Sequence, residues 1–311
     1  MPLPIKLREQ HASLAVKPQT SFELGAAEMA DRKVHFLLHV PKCAGTSVEH
    51  HFSKHLGSKF LLAPRWRSPL REVVGNRFPG IEEKANLAKV AVVSGHSLSV
   101  SLKRHLSSTQ IQESVLLRDP LSYLLSFYNY RWRRFEEGLD CRPPAFETWY
   151  AAQRKNPISR FMLNRYFGFG IPALYKMSSA QRLTYLEDRL ANFHFVGGIE
   201  RASELIAGIS EELAISSKSN TMNVTKAKRF SSRDISPELK AKILDENALD
   251  RALYARWKDR GWSGAPAEAA PRLSRWDQPT YLVGDLRSGI AKRLIRNRRE
   301  VQAKIHGTAC Q

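Results

Sequence analysis

The segment HVPKCAGTS, His39 to Ser47, decides the fold. It follows the apolar run Val34 to Val40, which predicts a buried strand, and it leads into Thr46 to Leu56, which predicts a helix. A strand, a tight turn and a helix start make a device for holding an anion. The N–H groups of a helix's first turn have no intrahelical acceptor, and the helix dipole adds partial positive charge there. Lys42 adds a full charge, Thr46 and Ser47 add hydroxyl donors, and Gly45 lets the backbone come close to a ligand. The backbone from Ala44 to Ser47 is thus a candidate cradle for a phosphate-like group. A Walker A loop has a different order, with an opening glycine and a lysine after the last one. Here the lysine comes first and no glycine opens the loop.

A second segment, SVLLRDPLSYLLSFYNY from Ser114 to Tyr130, carries a second grip. Ser114 to Arg118 reads as the end of a buried strand. Asp119 is a candidate N-cap and Pro120 fits the first helical position. Ser126 follows Arg118 by eight positions, about two turns at ~3.6 residues each, so the arginine and the serine can converge on one phosphate. The nearest candidate for a kinase's metal-binding acid is Asp119, and its Asp-Pro context suits a helix cap better.

These segments resemble two motifs of the PAPS-dependent sulfotransferases. HVPKCAGTS is similar to their 5′-phosphosulfate loop, and RDPLSYLLS to their 3′-phosphate motif. The likeness is to the carbohydrate sulfotransferases related to heparan and dermatan 2-O-sulfotransferases. Ser94-Gly95-His96 resembles the Gly-His that carries their catalytic base. Phe195 to Arg201, FVGGIER, resembles their strand-to-helix step, and Ser236 to Arg256 their closing helix. The five segments keep the family order from about Val34 to Trp257. The resemblance implies an α/β, P-loop-like sulfotransferase fold, with a mainly parallel central sheet flanked by helices.

It also implies roles. Lys42 would meet the bridging oxygen or the 5′-phosphate of PAPS, with Cys43, Ala44, Gly45, Thr46 and Ser47 around it. Arg118 and Ser126 would take the 3′-phosphate. His96 would be the general base, and no metal would be needed. The basic segment Asn220 to Arg233 falls where relatives close a loop over the nucleotide, which makes Lys226, Lys228 and Arg229 candidates; a solvated basic loop is the other reading. His39, Arg65 and Arg131 are candidates for the acceptor, the two arginines each standing beside a tryptophan on which a sugar could stack. His50 and His51 fall inside the helix after the loop and read as packing or exposed residues. Cys43 replaces the family's threonine, and a thiol at a helix start can acquire a lowered pKa, so redox sensitivity is an expectation. Ser94 stands where the uronyl 2-O-enzymes have a further histidine, which argues against a uronic acid acceptor.

Composition sets the bounds. The chain has 311 residues, enough for one α/β domain with extensions, and the boundaries read as a tail over 1–30, a sulfotransferase domain over 31–260 and a basic extension over 261–311. A formal net charge of +19 favours anionic partners. No segment matches a nucleic-acid-binding signature. Three widely spaced cysteines form neither a disulfide framework nor a zinc pattern. With no signal-peptide pattern and no run of about eighteen apolar residues, the expected setting is the cytoplasm, and a bacterial origin fits. Residues 286–305 carry an apolar stripe under many Lys and Arg, a helix that could rest on an anionic membrane or equally cover the core. Two other functions stay open: a kinase with a variant phosphate loop, and a non-catalytic polyanion-binding protein.

Overall fold

The computed structural model describes residues 32–63, 89–106, 110–218, 229–263 and 268–269. Arg65, Lys226, Lys228 and the 286–305 stripe lie outside them. The elements run β1 (Lys33–Leu38), α1 (Gly45–Leu56), β2 (Phe60–Leu62), β3 (Val92–Gly95), β4 (Gln110–Leu117), α2 (Pro120–Glu136), α3 (Phe146–Ala151), α4 (Pro157–Phe161), α5 (Ile171–Lys176), α6 (Ser179–Ala191), β5 (Phe195–Gly198), α7 (Ala202–Glu212), α8 (Pro237–Glu246), α9 (Ala248–Trp257), β6 (Gly261–Trp262) and β7 (Glu268–Ala269). A turn of π-helix, Met162–Tyr166, continues α4.

The strands form one sheet in the order β2-β3-β1-β4-β5-β6. All pairs from β2 to β5 are parallel. The two-residue strands β6 and β7 run antiparallel to β5 and β4, so the sheet takes in residues past 260, the boundary expected for the basic extension. The chain builds outward from β1 through β3 and β2 on one side, then from β4 to β5 on the other. The direction reverses between β1 and β4, and ligands of open α/β sheets bind at the carboxyl ends of strands beside such a switch. Both proposed anion grips leave the sheet there.

Side-chain alternation assigns the layers. His35, Leu37, Gln112 and Ser114 share one face, which α7 covers: Glu212 reaches His35, and His51 of α1 bonds Ser210 of α7 at 3.0 Å. Phe36 and Glu113 point to the opposite face, where Tyr166 bonds Glu113. With both faces covered, β1 is buried from Val34 to Leu38, as the near-continuous apolar run requires.

Three expectations about elements change. The Pro, Gly and Arg content of residues 57–80 predicts mostly loop, yet the described start of that stretch contains β2, a three-residue strand whose shortness hides it in the sequence. Amphipathic spacing predicts a single helix from Pro237 to Arg260, and the chain forms two, divided at Asn247, whose side chain accepts from Asn156 N at 2.7 Å and donates to Ile243 O at 2.7 Å. Apolar spacing predicts one helix from Pro157 to Phe167, and its second half is the π-turn. The start of α2 follows expectation: Asp119 accepts from Ser122 N at 2.8 Å and Pro120 opens the helix. Among the described residues no helix is long and apolar enough to cross a membrane.

Candidate active site

The turn after β1 takes its shape from two left-handed residues, Lys42 (φ 64°) and Ala44 (φ 63°). Each such non-glycine residue costs of order 1–3 kcal/mol, so the surroundings must hold it. Arg118, leaving β4, does so: its Nη1 donates to the Lys42 carbonyl at 2.8 Å. Cys43 N donates back to Val40 O at 3.2 Å. The result is a tight bend whose last residues open α1, with first-turn N–H groups directed out of the helix start. Lys42 and Arg118 are thereby brought together across the switch point.

The charge here is unbalanced. Among the described residues no carboxylate lies within ion-pair distance of Lys42 or Arg118. Arg118 Nε is buried without a partner. Burial, with Arg133 and Arg118 nearby, pushes the Lys42 ammonium down to about 8. Burial also lowers the Arg118 guanidinium, against the longer-range pull of Cys43 and Glu200. The ammonium rests instead on the Tyr130 ring, 4.4 Å from its centroid, and Arg133 and Arg134 lie 5.3 and 5.8 Å from the same centroid. Two half-buried cations with no carboxylate at ion-pair distance among the described residues fit an anionic ligand.

Ser126 is half-buried on α2, two turns beyond Arg118. Thr46 is exposed at the mouth of the cradle. Cys43 departs from expectation. It is 2% exposed, and burial pushes its thiol above the ordinary value. A thiol without thiolate character is a poor nucleophile and a poor redox sensor, and its side chain packs into the core rather than toward a ligand. Gly45 also has a different reason. A Cβ there would stand 2.0 Å from His39 Cδ2, so the close approach it permits is that of the imidazole.

His39 and His96 form a pair. His96 is exposed at the end of β3, and its Nδ1 lies 2.8 Å from the His39 carbonyl. A carbonyl oxygen only accepts, so Nδ1 bears the proton and the neutral ring keeps its lone pair on Nε2. The two rings are 3.9 Å apart between centroids. His39 is 6% exposed, and its Nδ1 lies 2.8 Å from Glu49 Oε1. His51 is buried against Ser210, as a packing histidine should be, and His50 is exposed.

Arg131, a candidate for the acceptor, is held by a carboxylate of its own chain. Arg131 and Arg134 both grip Asp140, at 2.9 and 2.5 Å. Arg142 and Arg229 lie 5.7 and 5.0 Å from the Trp132 ring centroid. Arg229 pairs with Glu136 on the surface. Of the basic run on α2, Arg133 is the member that turns toward Lys42.

Tyr130 and Glu49 were not singled out by the sequence reading. Tyr130 follows Ser126 by four positions, hence on the same helix face, and that signal could have found it. Glu49 has no such mark, because its partner lies on the preceding strand end. Among the described residues no three metal-ligating side chains form a group that could hold an ion.

No curated protein and no solved structure matches the chain. A family model described as the sulfotransferase family matches residues 27–255, most of the chain and every element that shapes the two grips. On that match, and with a mainly parallel sheet whose switch point carries the paired cations, the chain belongs to the sulfotransferase family.

Proposed function

We propose that the protein transfers the sulfuryl group of PAPS to a hydroxyl of a carbohydrate or glycoconjugate acceptor, releasing PAP. One observation carries this reading: Arg118 Nη1 holds the Lys42 turn at 2.8 Å while neither cation has a carboxylate at ion-pair distance among the described residues. Two anion sites side by side suit a nucleotide with phosphates at both ends of its ribose.

In this reading the first-turn N–H groups of α1 bind the 5′-phosphate, with Thr46 at the mouth. Arg118 spends one Nη1–H on the turn and keeps its other donors for the 3′-phosphate, beside Ser126. The acceptor's O–H bond breaks as its oxygen bonds to sulfur, and the proton passes to His96 Nε2. The bond from sulfur to the bridging oxygen breaks, and its electron pair stays on the 5′-phosphate of PAP. Lys42 faces that leaving oxygen and offsets its charge. A general base of this kind contributes on the order of 10²–10⁴-fold. The resemblance to the 2-O group, and the acidic acceptors favoured by the net charge of +19, guide the choice of acceptors to try.

The test is retention on immobilised PAP followed by transfer of labelled sulfate from PAPS to a panel of neutral and acidic oligosaccharides. Arg118→Ala is expected to lose retention, and His96→Ala to keep retention and lose turnover. Product formed from ATP only with Mg²⁺ would mean a kinase instead. Retention on heparin without PAP binding would mean a polyanion binder.

A further inference from the structure

The carboxylate behind the histidine pair belongs to no motif. Glu49 sits one turn into α1, half-buried. Its Oε1 accepts from Ser94 Oγ at 2.9 Å and faces His39 Nδ1 at 2.8 Å. Ser94 shares its single proton with Leu37 O, 3.0 Å away. A hydroxyl donor and the edge of an imidazole thus meet at one carboxylate oxygen. The His39 N–H does not point straight along its contact, so the attraction is electrostatic more than directional. The far edge of the ring is pressed against Gly45, and its face against His96. His39 therefore has one orientation, set from three sides.

We infer that Glu49 is a positioning residue: its carboxylate holds His39 in place and offsets the positive charge that appears on the His39–His96 pair when His96 takes the acceptor's proton. The inference rests on the reading of His96 as base. Two imidazoles at 3.9 Å cannot both be charged cheaply, and His96 is the exposed member that meets the acceptor. A proton arriving there needs a nearby negative charge. Glu49 supplies it through His39, whose buried ring keeps water out of the space between them.

The other groups that face this corner do not compete. Small cavity walls come from β1, β3, β4, α1 and α7, through Leu37, Ser94, Ser114, Val48 and Leu205. The titratable group among those walls, besides His39 itself, is the Cys43 thiol, which burial keeps protonated. Phe161 of α4 approaches His96 edge-on at 6.3 Å and carries no charge. Glu49 is the acid of the corner among the described residues, and Ser94 of the Ser-Gly-His segment acquires a function as its hydrogen-bond donor.

The experiment uses the full chain with Glu49→Gln, which keeps the shape and the acceptor for Ser94 but removes the charge. The acidic limb of the pH dependence of kcat/KM is expected to move down by about one unit, as is the histidine titration midpoint followed by NMR. Retention on PAP should not change, which shows that the variant is folded. Glu49→Asp, which keeps the charge, should restore the limb. A purely structural glutamate would move neither midpoint nor limb, and that outcome overturns the inference. If the midpoint moves but His96→Ala retains turnover, the coupling stands and the reading of His96 as base falls. Should Glu49→Gln not fold, nitrogen-15 shifts of His39 in the wild-type chain decide: a proton on Nδ1 is expected, and a proton on Nε2 alone overturns the inference.

Discussion

At the scale of single residues, Lys42 is the group whose state sets donor binding. Burial and two neighbouring arginines lower it to about 8, so it stands near half-charged in mildly alkaline buffer. An anion at the cradle favours the charged form. PAP affinity should therefore be full below about pH 8 and fall as pH rises through it, by at most about tenfold per unit. Tyr130 supports the charged form from 4.4 Å. A cation–π contact is worth about 0.5–2 kcal/mol, so Tyr130→Leu should move this break down by roughly half a unit to one and a half units, while Tyr130→Phe leaves it in place. Calorimetric titration of PAP across that range checks both; a break common to all three proteins would separate Tyr130 from Lys42. Cys43 gives a second prediction. Buried and protonated, it should resist alkylation in the native chain, and mild peroxide should inhibit the wild type and Cys43→Ser alike. The residue-level chemistry that the sequence revealed is what depends on local order: lysine before glycine, arginine at a strand end, Gly-His at another. The contacts it did not reveal, Glu49 with His39 and Arg131 with Asp140, join side chains whose meeting is set by how the turn and helix end fold back.

At the scale of elements, the segments that carry strong periodicity or a cap were legible. α2 has an Asp-Pro start, and α6 has a capping box, Ser178 with Gln181. Apolar spacing also predicts a helix from Pro157, and the five-residue α4 starts there, its first N–H groups bound by Asp250 of α9, with Ile158 N at 2.9 Å and Ser159 N at 2.8 Å. The shortest strands were not legible. β2, β6 and β7 have two or three residues each and no alternation to read. The middle of the sheet holds a polar pair that hydrophobic patterning would not place there: Lys103, on the 3₁₀ turn Val100–Leu106, meets Glu113 of β4 at 2.8 Å, with side chains 5% and 7% exposed. Tyr166 of the π-turn donates to the same carboxylate and ties that irregular turn to the sheet. Removing the lysine leaves a buried charge without its partner, so Lys103→Met should cost about 3–5 kcal/mol in urea unfolding. Adding Glu113→Gln should recover most of that loss, since a neutral acceptor still serves Tyr166. Equal stability of the single and double variants would show that the carboxylate is already neutral in the fold.

At the scale of the whole molecule, two buried groups on different elements bend stability against pH in opposite directions. His35, on β1 and fully buried, is pushed down to about 4, by burial first and against the pull of Glu212. Between about pH 6.5 and 4 the unfolded chain takes a proton that native His35 refuses, so its contribution is complete above that window and is lost as pH falls through it. Asp250, buried beneath α4, is pushed up to about 6 by burial, although Ser159 and Ile158 hydrogen bonds pull the other way. Between its ordinary 3.8 and about 6 the native state holds a proton that the unfolded chain has released. Its contribution is therefore complete below the window and is lost as pH rises through it. Each slope is at most about 1.4 kcal/mol per pH unit, and the two windows nearly coincide, so they largely cancel in the wild type. Substitution separates them. The stability difference between wild type and Asp250→Asn should shift with rising pH toward the variant, as the aspartate's cost appears. The difference between wild type and His35→Leu should shift with rising pH toward the wild type, as the histidine's cost disappears. Urea unfolding of all three at several pH values across the shared window reads both slopes directly. Parallel pH profiles would mean that neither group titrates differently in the fold, and that the surroundings of His35 in the central strand and the α4 cap are wetter than their burial implies.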